Sequence, residues 1–213
     1  MKYLATLSLV FLMSLGAVVA QEESAVEFKN QGNEALRTKN YKGALESFEK
    51  AIAAWGEEEM DAAMVYNTAT SARKIKNHEK AQKYYEESKK LGYKADASTY
   101  YIGSSLKSMG KAEEMEKVLL AGIEEFPTSK YATHMKKQLS GYYVKESNAL
   151  YTKGQEILNS RVDGNRDQWD TIKAKAKVVL DEASSIAKKA LEYDATNKNA
   201  QAILSGIETF LAS

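Results

Sequence analysis

The chain has no cysteine and a single proline, Pro127, among its 213 residues. Without cysteine there can be no disulfide framework, thiolate zinc site, iron–sulfur cluster, cysteine nucleophile or cysteine-linked lipid. Two histidines, His78 and His134, leave little for a histidine metal centre, and any nucleophile–histidine pair has only these two to draw on. One proline and twelve glycines are too few for an all-β chain, so helix is favoured. Net charge is missing as well: the formal value is +1, which gives no electrostatic reason to expect nucleic acid. What is present is 44% hydrophobic and 28% charged residues, enough to build one ordinary domain or two small ones.

The first twenty residues stand apart from the rest. Met1-Lys2 is positive, Tyr3 to Val19 carries no charge, and Ala17-Val18-Val19-Ala20 places small residues before Gln21-Glu22-Glu23. Charged start, apolar centre and small-residue exit make residues 1–20 an expected secretory signal, removed by cleavage. An uncleaved anchor is the competing reading. The run barely reaches the roughly 20 apolar residues that a bilayer requires, and an anchor has no use for the small-residue exit. No cysteine follows the run, so a lipoprotein is excluded. The expected location is periplasmic or secreted, with no membrane insertion after cleavage. Lys2 is the one charge in this segment, so the remainder holds 29 basic and 29 acidic side chains.

That remainder repeats. Gly32, Ala35, Tyr41, Ala44, Phe48 and Ala51 are separated by 3, 6, 3, 4 and 3 residues, and Ala69, Ala72, His78, Ala81, Tyr85 and Ser88 have the same separations. Gly103, Leu106, Met115, Leu119 and Gly122 fill five corresponding columns, with offsets between units of 37 and 34 residues. Each unit reads as two antiparallel helices broken near Thr38–Asn40, Lys76–Asn77 and Ser108–Gly110. Small residues at Gly32, Ala44 and Ala51 let backbones approach, while Phe28, Phe48 and Ile52 fill the space beside them. One such pair cannot bury its apolar stripe alone, so the units must stack.

The small–aromatic–small signature Gly32…Tyr41…Ala44…Phe48…Ala51, closed by Pro127, resembles the tetratricopeptide repeat (TPR) family, specifically an exported bacterial member. The resemblance covers Ala25 to Pro127; the third unit departs from it at Met115 and Gly122. It implies an all-α solenoid of antiparallel helix pairs. Three units are expected at about 25–58, 62–95 and 96–129, spanning residues 21–127. Beyond Pro127 the register loosens. Thr128 or Ser129 can cap a helix, followed by periodic Leu139, Tyr143, Leu150 and Ile157. A polar break over 159–168 contains Asp163-Gly164-Asn165, and a helix from Trp169 to Tyr193 carries Ala183, Ala187 and Ala190. Residues 128–213 therefore read as an elongated fourth pair and a capping helix, Lys198 to Leu211, with Ile203, Ile207, Phe210 and Leu211 inward.

Enzyme readings find no support. His78 occupies the column of Tyr41 and reads as a packing residue; His134 reads as a surface side chain. Glu57-Glu58-Glu59 and Asp61 suit the dipole of a following helix, and no ligand spacing of a hard-cation loop is present. No catalytic residue, metal or cofactor is expected. Binding is better supported. The first helix of each stacked pair lines a concave groove, whose facing residues are Lys29, Asn33 and Arg37; Tyr66, Asn67, Thr70 and Arg73; and Tyr100, Tyr101, Ser104 and Lys107. This set is polar, aromatic and net positive, and tyrosine with arginine is favoured at binding hot spots. Some TPR proteins clamp a peptide's terminal carboxylates. Lys29, Asn33 and Asn67 match the first half of that clamp, whereas Ala97 and Tyr101 stand where its third-unit cations belong. The expected activity is non-catalytic binding of a protein or peptide partner. The alternative is a structural role in the envelope through the convex face or the long C-terminal helices, including self-association.

Overall fold

A computed structural model describes residues 24–56, 59–160 and 166–212. The expected signal segment, Glu57-Glu58 and Asp163-Gly164-Asn165 lie outside them. Among the described residues there are nine helices and no strand: α1 (Ala25–Arg37), α2 (Tyr41–Ala53), α3 (Ala62–Lys74), α4 (His78–Lys90), α5 (Ala95–Ser108), α6 (Ala112–Glu125), α7 (Lys130–Asn159), α8 (Arg166–Tyr193) and α9 (Lys198–Ala212). No helix among them is long and apolar enough to cross a membrane.

Local chemistry sets the helix ends. Ser24 and Glu27 form a reciprocal capping box on α1, and Asn40, Asp61, Asn77 and Ser129 cap α2, α3, α4 and α7 through side-chain oxygens. Ser129, not Thr128, is therefore the cap after Pro127. The break inside each unit is one residue in left-handed conformation: Lys39 at φ 60°, Lys76 at 62° and Gly110 at 76°. Only the third unit uses glycine, which carries no Cβ penalty there.

The small-residue columns act as expected. A Cβ on Gly32 would lie 2.5 Å from the Phe48 ring, and one on Gly122 would lie 2.6 Å from Thr99 Cγ2 and 2.7 Å from Met135 Sδ. These contacts hold α1 against α2, and the end of α6 against α5 and α7. Among the described residues the core divides into three clusters. One around Phe48 and Met64 underlies α1–α3; the largest runs from Leu45 through Tyr85 and Leu119 to Tyr143; a third joins Leu180, Ala183, Ala187, Ile203 and Ile207. The helix after the polar break begins at Arg166, three residues before Trp169. The elongation of this pair thus lies in helices of 30 and 28 residues, with a shorter break than 159–168. Polar residues are well tolerated in a first helical turn, so polarity overextends the break when read from sequence. Helix α9 buries Ile203 and Ile207 and leaves Lys198, Gln201 and Glu208 in solvent.

An ion-pair cluster ties the regular units to the long pair. Tyr143 Oη on α7 donates to Glu116 Oε1 on α6, and Lys189 Nζ on α8 donates to the same oxygen at 3.0 Å while lying 4.3 Å over the Tyr143 ring. The Tyr143 hydroxyl, then Lys189, hold the Glu116 carboxyl below the usual range against the opposing effect of burial. Burial, then Glu116, push the Tyr143 phenol up to about 12. Contact with Tyr143, then Glu116, raises the Lys189 ammonium. A carboxyl depressed in the folded state contributes stability that is complete above about pH 5 and lost as pH falls through the folded value. A raised phenol and ammonium contribute stability that is complete below about pH 10 and lost as pH climbs through their folded values. The melting temperature is therefore expected to show a plateau with acid and alkaline limbs. Glu116→Gln should flatten the acid limb, and an unchanged limb would exclude this carboxylate as its source.

Candidate functional site

Helices α3, α5 and α7 are the first helices of successive pairs, and their tyrosines meet across the helix boundaries. Tyr66 on α3 packs edge-on against Tyr85 at 5.4 Å and Tyr93 at 5.7 Å between centroids. Tyr85, rising from α4, stacks on Tyr101 of α5 at 5.2 Å. Tyr101 meets its neighbour Tyr100 at 5.1 Å, and both reach Tyr131 of α7, at 6.0 and 5.7 Å. His134, one turn on, closes the series against Tyr100 at 5.6 Å and Tyr131 at 5.8 Å. Ring pairs at these separations contribute about 0.5–1.5 kcal/mol each beyond the area they bury.

Cations lie among the rings. Arg73 Nε donates to Tyr85 Oη at 3.2 Å while its guanidinium sits 4.4 Å over Tyr101, and Thr70 Oγ1 shares the Tyr85 hydroxyl at 3.1 Å. Lys94 Nζ stands 4.7 Å over Tyr66 and 5.1 Å over Tyr93. Burial, then the neighbouring phenols, raise the Tyr66 hydroxyl; burial likewise raises Tyr85 and Tyr101 despite the opposing Arg73. These phenols therefore stay protonated and neutral, and Arg73 and Lys94 give the wall its positive charge. Ser104 extends it, its hydroxyl lying 3.1 Å from the Tyr100 carbonyl and 3.2 Å from the Gln138 side-chain amide.

No protein-family model matches the chain. Among curated proteins, the STIP1 homolog of Dictyostelium discoideum is 32% identical over 112 residues, covering 50% of this chain and 18% of that relative. The chain thus spans less than a fifth of that protein's length. Among solved structures, the P58(IPK) TPR domain superposes with a TM-score of 0.50 at 13% identity, covering 88% of this chain and 66% of that one. The fold is a TPR solenoid. A Bacteroides ovatus ATCC 8483 chain superposes with a TM-score of 0.52 at 13% identity, covering 89% of this chain and 98% of the other.

Within this solenoid the residues expected on the groove separate into two groups. Tyr66, Thr70, Arg73, Tyr100, Tyr101 and Ser104 join in the tyrosine wall, and Lys107 follows Ser104 by one turn on α5. Lys29, Asn33 and Arg37 do not join it. Arg37 pairs with Glu34 at 2.6 Å on an exposed face, and Asn33 is exposed. Asn67 is half-buried. Lys29 Nζ lies 2.5 Å from Asp61 Oδ2 and 5.6 Å over the Trp55 ring. Burial would raise the Asp61 carboxyl, yet Lys29 and the Met64 backbone N–H bring it below its ordinary range. The TPR carboxylate clamp is therefore not assembled here: its first cation neutralises an acid of this chain, and Ala97 is buried.

Tyr85 is fully buried, the packing position its column implies. Sequence reasoning did not bring Tyr93, Lys94, Tyr131, His134 and Gln138 to this wall. The signal for two of them is present. Tyr66, Tyr100 and His134 are spaced by 34 residues, as are Thr70, Ser104 and Gln138. Continuing the columns beyond Pro127 finds both. His78, by contrast, is partly buried at the start of α4, as its column implies. Among the described residues no three His, Asp or Glu side chains are grouped to hold a metal ion.

Proposed function

We propose that the chain is a non-catalytic, exported scaffold that holds an extended segment of a protein partner along the groove of α3, α5 and α7. The observation that carries this reading is the unbroken path of ring contacts from Tyr93 through Tyr66, Tyr85, Tyr101, Tyr100 and Tyr131 to His134. Half-buried tyrosines offer large contact area at low entropic cost, and arginine among them is the composition of binding hot spots. Export rests on the composition of residues 1–20.

Panning a random dodecapeptide library on the purified chain tests the reading. Selected peptides are expected to lose at least ten-fold in affinity for the Tyr100→Ala/Tyr131→Ala variant, with circular dichroism confirming that it is folded. Peptides that bind the variant as well as the parent would move the site off this groove. Mass spectrometry of the expressed product addresses export separately: an N-terminus at Gln21 is expected, and an intact Met1–Ala20 segment on the mature product would refute cleavage.

A further inference from the structure

At the turns inside the first two units the chain places lysine where the backbone favours glycine. The left-handed residue is Lys39 in unit one and Lys76 in unit two, at φ 60° and 62°, and Gly110 fills the same column in unit three. Any Cβ is penalised in that conformation. A cation in the last turn of a helix suits its dipole, which accounts for Arg37 on α1 and Lys74 on α3. It does not account for Lys39 and Lys76, which lie past those helices and next to the N-terminal caps of α2 and α4, Asn40 and Asn77. In unit three Ser108 and Gly110 replace both cations, and Glu113 and Glu114 follow the turn.

The first two turns form one corner. Lys74 Nζ stands 5.7 Å over the ring of Tyr41, the first residue of α2, which sets the end of α3 against the turn of unit one. Lys39, Lys42, Lys74 and Lys76 are exposed, and none makes an ion pair among the described residues. From Glu34 to Glu46 and from Arg73 to Lys80 there are seven cations and three acids. Of the acids, Glu34 is held by Arg37, Glu46 lies between Lys42 and Lys50 on α2, and Glu79 is followed by Lys83 one turn on. A fourth acid, Glu49, pairs with Lys80. The remaining excess is lysine. At the apex sits Ile75, 40% exposed. Among the exposed large apolar side chains Val26, Ile75, Leu91 and Val178, it alone has a cation on each side in sequence.

We infer that this corner docks on a membrane leaflet carrying negatively charged phosphate headgroups, with the four lysines in the headgroup layer and Ile75 at its apolar boundary. The contact is peripheral and uses no ring of the tyrosine wall, so it stands apart from the peptide-groove reading. The chemistry favours a bilayer over a nucleic acid or an acidic polymer. Lysine ammoniums act as point charges and suit a diffuse anionic layer, whereas the guanidinium forks that grip single phosphates are engaged by Glu34 and by Tyr85 and Tyr101. An aliphatic apex finds a partner in lipid and none along a phosphate backbone. With no cysteine to carry a lipid, charge and apex are the two weak signals that together hold a protein at a surface.

Co-sedimentation of the purified chain with vesicles tests this, comparing phosphatidylcholine alone with phosphatidylcholine containing about a third phosphatidylglycerol. Each lysine near such a surface contributes about five-fold in affinity. The parent is therefore expected to bind the anionic vesicles at least about twenty-fold tighter than the neutral ones at low salt, and to lose most of that preference at about 0.5 M salt. Lys39→Gly/Lys76→Gly should weaken binding to the anionic vesicles about ten-fold or more with the melting temperature held or raised, since glycine fits both turns. Ile75→Ser should weaken it several-fold and leave the salt dependence in place. Every preparation carries the same N-terminus, so residues 1–20 cannot produce a difference among variants. Equal affinity for the two vesicles overturns the inference, as does a preference that the double glycine variant retains in full. Ile75→Ser binding the anionic vesicles like the parent would remove the apex. A heparin fragment or single-stranded DNA binding as tightly as the vesicles would make the corner a general polyanion surface. Either result overturns the membrane assignment.

Discussion

Tyr85→Ala is expected to cost about 3–5 kcal/mol of folding stability, the range for truncating a large buried aromatic side chain. Tyr85 is fully buried and heads the large side chains of the core. Its ring touches Tyr66 and Tyr101 from below, and its hydroxyl engages both Arg73 and Thr70. Truncation opens a void under the groove and releases the guanidinium that lies on Tyr101. At about 2–4 °C per kcal/mol for a chain of this size, the melting temperature should fall by about 6–20 °C. Tyr85→Phe separates the two contributions. It keeps the ring and leaves Arg73 Nε and Thr70 without that partner, an expected cost of about 1–3 kcal/mol. Thermal melts of both variants check this. If phenylalanine costs as much as alanine, the hydroxyl and not the ring holds the wall; if alanine costs under about 1 kcal/mol, the wall does not rest on Tyr85.

The same residue shows how far the sequence is legible. Tyr85 was readable as a packing position because it shares a column with Phe48 and Leu119, and it is one. A column reports which side of a helix faces inward, but it does not report where a long side chain ends. The hydroxyl of Tyr85 emerges beside Arg73 of the preceding helix, which no spacing within α4 reveals. Helix pairs and their breaks were legible because small residues and caps recur at fixed distances, and those are local constraints on backbone approach. The residues that meet in the tyrosine wall were legible where the repeat was regular, in α3 and α5. Lys29 matched a family position by spacing alone; Asp61, the cap of the next unit's first helix, decided its partner. His134 and Gln138 were lost where the small-residue columns stop after Pro127, although the groove columns continue at the same interval.

Leu180→Ala is expected to cost about 2.7–5 kcal/mol, but to spend it in one part of the chain. Leu180 is 1% exposed and joins Ala183, Ala187, Ile203 and Ile207 in a cluster separate from that of Tyr85. A Cβ on Gly154 would lie 2.5 Å from its Cδ2, so α7 already approaches α8 as closely as backbone allows. Little further collapse is open to fill the void, which places the cost toward the upper end of the range. Nearby, Ser147 Oγ donates to the Ala183 carbonyl at 2.7 Å, a buried tie between the same two helices. Units of a solenoid touch mainly their neighbours, so stability is distributed along the chain and not shared equally. Amide exchange should therefore accelerate in the second half of α7, in α8 up to about Ala187 and in α9 beyond Ala200. Ala190 and Ala200 belong to the cluster of Tyr85 and should be less affected, and α3 to α5 should keep their protection. The tyrosine wall would then still bind its panned peptides when the long pair is loosened, whereas Tyr85→Ala should impair binding and stability together. Uniform acceleration from α3 to α9 would instead show one cooperative unit, in which the long helices support the groove directly and do not simply cap it.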